Sequence, residues 1–422
     1  LSQVLRCREH ELLPVGAHGL ADRELAYLVD LRARGPRFFT EERTNGRWWC
    51  RFNSFAGAIA LPGGRTLEIL PKVADFNEPA SRGLLMRMLA VADLAPSLED
   101  APANYAASPN LIEAYLRFAA DLAVQQVRLG LVHAYRREDL RLPMVRGRLL
   151  IARQLARLPE RVDAHCVSAD IFVADTPVNR AIKAGVVRIG RLTRSHETLA
   201  KCREVTARMD AVADIRADQR ALVATFGQLR LDRRHARLAT LLKALTLVTA
   251  GSGGAPEAGG DAPGPTLLFE MNALFEALLA ARLRAVAAGH NVRLQDARFS
   301  LDVAGHFGLR PDIVVEVSGV PKIVVDAKWK ALTKGLASVE DADLRQAFAY
   351  ARIFGTSCAA LIYPRLAATV AFSHDAIVAD DSGVRLVLRQ VTLPLGGWAC
   401  LDAELAVLLA TVGIDQVPVR AI

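Results

Sequence analysis

Residues 309–332 read LRPDIVVEVSGVPKIVVDAKWKAL, and no other stretch limits the fold as tightly. Two runs of Val and Ile flank a short break containing Ser and Gly, which predicts a β-hairpin built for an interior. Yet Asp312, Asp326 and Lys328 are set into those runs. Side chains alternate sides along a strand. Asp312, Val314 and Glu316 therefore share one face, and so do Lys322, Val324, Asp326 and Lys328. The alternate residues Ile313, Val315, Val317, Ile323, Val325 and Ala327 are all apolar. The pattern predicts a ribbon with one dry face and one face that gathers charge.

Register decides whether the two aspartates meet. A three-residue loop, Ser318-Gly319-Val320, pairs Val317 with Pro321 and sets Asp312 opposite Asp326, with Cβ atoms about 5 Å apart. A one-residue shift sends Asp312 to the wrong face unless a bulge corrects it. Two carboxylates about 4 Å apart repel by about 4 kcal/mol at an effective dielectric of about 20. A dry site protonates one of them, whereas a hard divalent cation keeps both ionised. Mg²⁺ takes oxygen ligands and keeps several waters, which leaves room for a phosphate oxygen and an attacking water. Lys328 adds a point charge that can hold that water and stabilise a pentavalent transition state. The competing reading is a salt bridge in which Lys328 merely neutralises an aspartate.

The whole chain of 422 residues is 52% apolar, enough for several cores and too apolar for a disordered chain. The net charge of +8 favours an anionic partner, nucleic acid first. The six cysteines (Cys7, Cys50, Cys166, Cys202, Cys358 and Cys400) show no zinc spacing and fit a reducing compartment. There is no secretory signal and no apolar run of the roughly 18 residues a membrane span needs. These features predict a soluble cytoplasmic protein that does not contact membrane.

The segment GSGGAPEAGGDAPGP, residues 251–265, reads as a flexible linker. Before it, residues 1–78 read as a β-rich domain, with two strand-like runs in 47–73 joined at Pro62-Gly63-Gly64. Residues 79–250 read as a mainly helical domain, with amphipathic helices at 111–135 and 237–250 and an extended stretch at 162–177. Residues 266–422 read as an α/β domain. It has a helix at 266–287, strands near 292–303, 311–317 and 322–329, and a helix at 341–355. A buried strand at 358–364, strands near 368–373 and 384–393 and a helix at 401–411 complete it. The fold class is thus α+β and multidomain. Nine arginines, no lysine and three acids fall within 128–161. That segment is either a solvated face or a surface for DNA phosphates or an acidic partner. In VRGRLL, a strand would put Arg146 and Arg148 on one side.

Pro311-Asp312 followed by Asp326-Ala327-Lys328 resembles the PD-(D/E)XK nuclease superfamily. That pattern includes an acid on the preceding helix, which Glu276 in ALFEAL fits, with Glu270 as the alternative. It also includes a Gln or Tyr on the following helix, matched by Gln346 and Tyr350 in RQAFAY. The segments FAGAIALPGGRTLEILPKV, LVHAYRRED, LPMVRGRLLIARQL, ADTPVNRAIKAGV and LLFEMNALFEALLAARL resemble successive parts of the McrC family. That family is the nuclease subunit of McrBC-type, modification-dependent restriction systems, and the likeness spans most of residues 50–365.

The resemblance implies a C-terminal PD-(D/E)XK (restriction endonuclease-like) domain with Mg²⁺ on Asp312, Asp326 and the Ala327 carbonyl. It implies catalysis by those aspartates with Lys328, Glu276 and Gln346, and leaves Arg146, Arg148 and Tyr350 as candidate contacts to DNA or partner. It further implies that the N-terminal half docks on a McrB-like AAA+ GTPase hexamer and stimulates it. Double-stranded DNA is then cut when translocation triggers the C-terminal domain, and the partner reads the methylated base. The chain contains no G-x-x-x-x-G-K-[ST], indeed no Gly-Lys pair, so a P-loop must come from a second protein. Two other classes compete: a non-catalytic GTPase-stimulating adaptor that clamps DNA, and a stand-alone nuclease. The three charged residues of the ribbon argue against the first. The 250 residues before the linker argue against the second.

Overall fold

The computed structural model describes residues 4–16, 18–72, 78–92, 108–156, 164–215, 219–229, 238–250, 265–287, 289–300, 302, 304, 306–330, 332, 334–365, 373–378, 383–393 and 398–414. The linker expected at 251–265 lies, but for Pro265, outside the described residues. The chain begins β1 (Val4–Arg8), β2 (Leu12–Pro14), α1 (Asp22–Arg34), β3 (Phe39–Thr44), β4 (Arg47–Phe52), β5 (Phe55–Ala60), β6 (Thr66–Leu70), α2 (Glu78–Val91). It continues α3 (Leu111–Leu129), β7 (Ala134–Leu142), β8 (Arg148–Leu149), α4 (Ile151–Leu155), β9 (His165–Val173), α5 (Pro177–Leu192), α6 (His196–Arg208), α7 (Gln219–Gln228), α8 (Leu238–Ala250). It ends β10 (Thr266–Glu270), α9 (Met271–Val286), β11 (Asn291–Leu294), β12 (Ile313–Val317), β13 (Val320–Ala327), α10 (Asp341–Phe354), β14 (Cys358–Pro364), β15 (Ser373–Ile377), β16 (Arg385–Val391), α11 (Ala399–Ala410).

Two compact units result. One joins Leu1–Tyr115 to Gly253–Ile422; the other is Leu116–Ser252. The first unit holds a four-stranded sheet ordered β1-β6-β5-β10, a three-stranded sheet β2-β4-β3, and a six-stranded sheet β11-β12-β13-β14-β16-β15. Its N-terminal core stacks Phe38, Phe39 and Phe52 against Leu20, Leu28, Leu67 and Ile69.

Residues 266–270 are not the start of a helix. They form β10, antiparallel to β5, with Thr266 opposite Ile59 and Glu270 opposite Phe55. The cause lies in β5. Gly57 has φ +148, and a Cβ there would sit 1.9 Å from the Leu267 carbonyl oxygen, so only glycine admits this strand. Pairing also satisfies the main-chain groups of the apolar TLLFE run, and the helix starts one residue later, at Met271.

In the six-stranded sheet, β11, β12 and β13 are antiparallel neighbours, and β13, β14 and β16 are parallel. The parallel step from β13 to β14 crosses over through α10, whose Tyr350 and Phe354 pack on Val314 and Val324. That packing makes the charge-gathering face largely dry as well. Val314 and Val324 are as buried as Ile313, Val315, Ile323 and Val325 on the other side. A sheet covered on both faces needs apolar residues on both, so charge is left to the ends of its strands.

The second unit is less helical than expected. The predicted helix 111–135 stops at Leu129, and from Ala134 the chain pairs with β9 over nine residues, Ala134 with Val173 through Leu142 with His165. The aromatic and alternating sequence after Gly130 suits a strand, and its hydrogen-bond partner lies some thirty residues further on. The sheet order is β7-β9-β8. Helices α5 and α6 start on Thr176 and Ser195, whose hydroxyls accept from the Asn179 and Thr198 N–H groups. All six cysteines are free, five of them buried. Among the described residues no helix is long and apolar enough to cross a membrane.

Candidate active site

The turn of the β12–β13 ribbon is two residues, not three. Ser318 (φ 51) and Gly319 (φ 79) both lie in the left-handed region, and Val317 pairs with Val320. This is the geometry whose twist suits a hairpin. Glu316 then pairs with Pro321, but Val315 pairs with Ile323, so Lys322 is an extra residue at a bulge. From there Val314 faces Val324 and Ile313 faces Val325. The next step in that register sets Asp312 opposite Asp326. The short turn and the bulge offset one another.

The side chains at this strand end form one connected network. Asp312 Oδ2 accepts the Ala327 N–H at 2.8 Å, which ties the first strand to the second across the acid pair. Gln295 Nε2 donates to Glu276 Oε2 at 2.8 Å and lies 3.4 Å from Asp312 Oδ1. Lys328 Nζ lies 2.7 Å from Asp326 Oδ2, 3.0 Å from Gln346 Oε1 and 3.6 Å from Asp343 Oδ1. Gln346 Nε2 donates to the Tyr350 hydroxyl at 2.7 Å, and that hydroxyl donates to the Arg310 carbonyl at 3.4 Å. Asp312, Asp326, Ala327, Lys328, Glu276, Gln346 and Tyr350 thus come together. Glu270 does not join them by hydrogen bond; it sits at the N-cap of α9. Arg146 and Arg148 belong to the second unit and are exposed. Only Arg148 is in β8, so no strand sets the two on one side.

Burial, then the nearby charge of Asp326, pushes the Asp312 carboxyl up to about 7. Burial raises Asp326 as well, against the pull of Lys328. Glu276 is raised, chiefly by burial. Burial alone would lower the Lys328 ammonium, but the close approach and charge of Asp326, with Asp343 and Asp312 behind it, outweigh this and raise it. One oxygen stands out. Asp326 Oδ2 is buried, and the Lys328 ammonium 2.7 Å away is the charge that meets it.

A hard divalent cation fits these donors. Among the described residues no three His, Cys, Asp or Glu side chains are grouped to hold a metal. The residues that could hold Mg²⁺, with water in its remaining positions, are the two carboxylates and the expected Ala327 carbonyl. Two members of the network carried little signal in the sequence. Gln295 sits in a loop with φ 48, a left-handed conformation that is costly outside glycine and collects at functional sites. Asp343 lies three residues before Gln346 on the same helix face, 2.9 Å from Lys330 Nζ and 3.6 Å from Lys328 Nζ.

The raised Asp312 carboxyl predicts a stability effect. Between the ordinary carboxylate range and about pH 7, the folded protein keeps a proton on Asp312 that the unfolded chain releases. Stability of the metal-free chain therefore falls as pH rises through that window. Asp312→Asn removes this penalty. Thermal melts without metal should show the variant higher in Tm at pH 8, by roughly 2 °C or more. The two proteins should converge towards pH 4. An Asn variant that melts lower at pH 8 would contradict the buried acid pair.

A mixed α+β chain of several sheets, with two desolvated carboxylates and a lysine fixed at one strand end, is the class that fold and site define. Its sequence gives the family: residues 50–364 match the model described as McrBC 5-methylcytosine restriction system component, and the chain belongs to that family. It is thus a component of a modification-dependent restriction system. Two solved structures resemble it. One is a half-complex from a tetradecameric assembly of Thermococcus gammatolerans McrB AAA+ hexamers with bound McrC, at 17% identity and a TM-score of 0.71, covering 97% of this chain and 100% of that one. The other, the McrBC complex of the same organism, matches at 18% identity and a TM-score of 0.50, covering 67% and 87%. At such identities the likeness establishes the fold. No curated protein sequence matches the chain.

Proposed function

We propose that the chain is the Mg²⁺-dependent DNA endonuclease subunit of a McrBC-type restriction system, cutting methylated double-stranded DNA with an AAA+ GTPase partner. The observation that carries this reading is the pair of desolvated carboxylates, Asp312 and Asp326, at one strand end, with Lys328 Nζ 2.7 Å from Asp326 Oδ2. Asp312, Asp326 and the Ala327 carbonyl would hold the ion. An ion held by these residues would supply Lewis-acid polarisation of a phosphate oxygen and a lowered pKa for water. Lys328, with its pKa raised, acts at neutral pH as a cation towards charge developing on the phosphate, not as a base. Gln346 fixes the ammonium through Oε1 and is itself fixed by Tyr350. Gln295 and the Ala327 N–H aim the Asp312 carboxylate, and Glu276 braces Gln295.

The partner follows from what the chain lacks and from its relatives. No P-loop is present, and the matched structure holds McrB AAA+ hexamers with bound McrC. The sheet β7-β9-β8 is the surface that best suits such a partner. Tyr135 is 75% and Phe172 60% exposed; they are cross-strand neighbours with rings 5.1 Å apart, and His133 stacks on Phe172. Met144, Ile151 and Leu155 are exposed as well. Within residues 1–78, the β-rich part of the N-terminal half expected to dock, the large exposed apolar side chains are Leu12 and Trp48 among the described residues. Three arginines around these aromatics are paired in place: Arg136 of β7 with Glu138 and Asp175, Arg137 of β7 with Asp170, and Arg153 of α4 with Asp139. Exposed aromatics clustered beside paired charges favour a protein contact over a phosphate track.

The test is cleavage of cytosine-methylated plasmid by the chain with its AAA+ partner, GTP and Mg²⁺. Double-strand breaks should need all of these, and unmethylated plasmid should stay intact. Equal cutting by the chain alone would reject the partnered mechanism.

A further inference from the structure

Trp329 directly follows Lys328, and it is the largest fully buried side chain among the described residues. Its ring packs on Phe275, the neighbour of Glu276, with centroids 5.3 Å apart. Its polar groups are held by a different part of the same unit, the four-stranded N-terminal sheet. The Glu9 carboxylate accepts the indole N–H at 2.9 Å. The Lys72 ammonium donates to the Trp329 carbonyl at 2.7 Å. Glu9 Oε1 also accepts the Lys72 main-chain N–H at 3.1 Å, which closes a ring of hydrogen bonds around the tryptophan.

Glu9 and Lys72 stand just past the ends of β1 and β6, two strands paired in parallel, and the Glu9 N–H continues that pairing onto the Leu70 carbonyl at 3.0 Å. The Glu9 side chain is buried, and burial pushes its carboxyl up to about 7 in spite of the Lys72 charge. Burying such a pair is costly, and a tryptophan is packed more cheaply by apolar residues. What the polar ring supplies is a fixed place for the Trp329 main chain.

That place matters because of what lies next to it. The Lys328 N–H donates to the Ile362 carbonyl of β14 at 2.8 Å, which anchors the residue from one side. Trp329 anchors it from the other. We propose that Glu9 and Lys72 are positioning residues that act through Trp329 to hold the Lys328 ammonium over the acid pair. The inference rests on the nuclease reading and deepens it: the N-terminal sheet is part of the cutting apparatus even though none of its side chains reaches the acids. A shift of about 1 Å at a reacting group can cost up to about 100-fold in rate.

Single-turnover cleavage of a methylated duplex by the full chain, with partner, GTP and Mg²⁺, tests this. Lys72→Met and Trp329→Phe should each lower the rate constant about tenfold or more. The reaction amplitude and the stimulation of the partner's GTPase should not change. Lys72→Arg, which keeps a donor, should recover most of the rate. In a Lys328→Ala background, Lys72→Met should cause no further loss, because the residue it positions is gone. Unchanged rate constants, a loss confined to amplitude, or losses that multiply in the double variant would each overturn the assignment. If the unaltered chain cuts nothing, the nuclease reading falls and this inference falls with it.

Discussion

Asp326→Ala is expected to lower DNA cleavage roughly a thousandfold or more, about 4 kcal/mol in the barrier, while leaving stimulation of the partner's GTPase intact. The size follows from what one residue supplies: a carboxylate of the proposed metal site that also lies 2.7 Å from Lys328 Nζ. The fold should survive. Lys328 keeps Gln346 at 3.0 Å and Asp343 at 3.6 Å, and the Asp312 carboxylate keeps the Ala327 N–H. Relief of repulsion towards Asp312 also favours the metal-free fold. Raising Mg²⁺ should recover little activity, since the remaining donors form half a site. The measurement is a plasmid nicking and linearisation assay run beside a GTPase assay on the same preparation. Cutting at the unaltered rate would remove the metal assignment. Loss of both activities together would instead indicate a misfolded variant, which a thermal melt would reveal.

The second large effect concerns the other unit. Tyr135→Asp combined with Phe172→Asp should abolish co-elution with the AAA+ partner and GTPase stimulation, with cleavage lost as a consequence. Exposed aromatics at the centre of an interface typically contribute about 2 kcal/mol or more each, so the pair should weaken binding on the order of a thousandfold. Both side chains are well exposed, and surface changes of this kind move stability by only about 0.5 kcal/mol. A variant that melts normally and still stimulates the GTPase would show that the sheet is not the docking surface. Arg137→Ala gives a contrast: its exposed pairing with Asp170 contributes little, so the complex should persist.

The ribbon was legible because strand alternation is a local property. Val and Ile at every second position set Asp312 and Asp326 apart from the apolar side of their own strands, and the turn with its bulge then makes those sides coincide. The turn itself was not legible. A left-handed Ser318 is uncommon, and no local residue pattern marks the bulge at Lys322. The strand β10 was invisible for a related reason. TLLFE is as apolar as the helix that follows it, and what draws it out is Gly57, some two hundred residues earlier. The expected helix 111–135 runs into the first two residues of β7, because the strand's pairing partner lies beyond β8 and α4. Among site residues, the acids and lysine are marked by being charged inside apolar runs. Gln295 has no such contrast, and Glu9 and Lys72 matter only through Trp329, far along the chain.

The strand β10 also sets a timetable for synthesis. The first unit is discontinuous: residues 116–252 leave the ribosome before the strand that covers the open side of β5. Until Thr266–Glu270 emerges, the nascent chain carries an uncapped apolar strand edge of the kind that invites pairing with a neighbour. The pace of translation through the intervening residues therefore decides how long newly made protein is open to aggregation, and chaperone cover is most valuable during that interval.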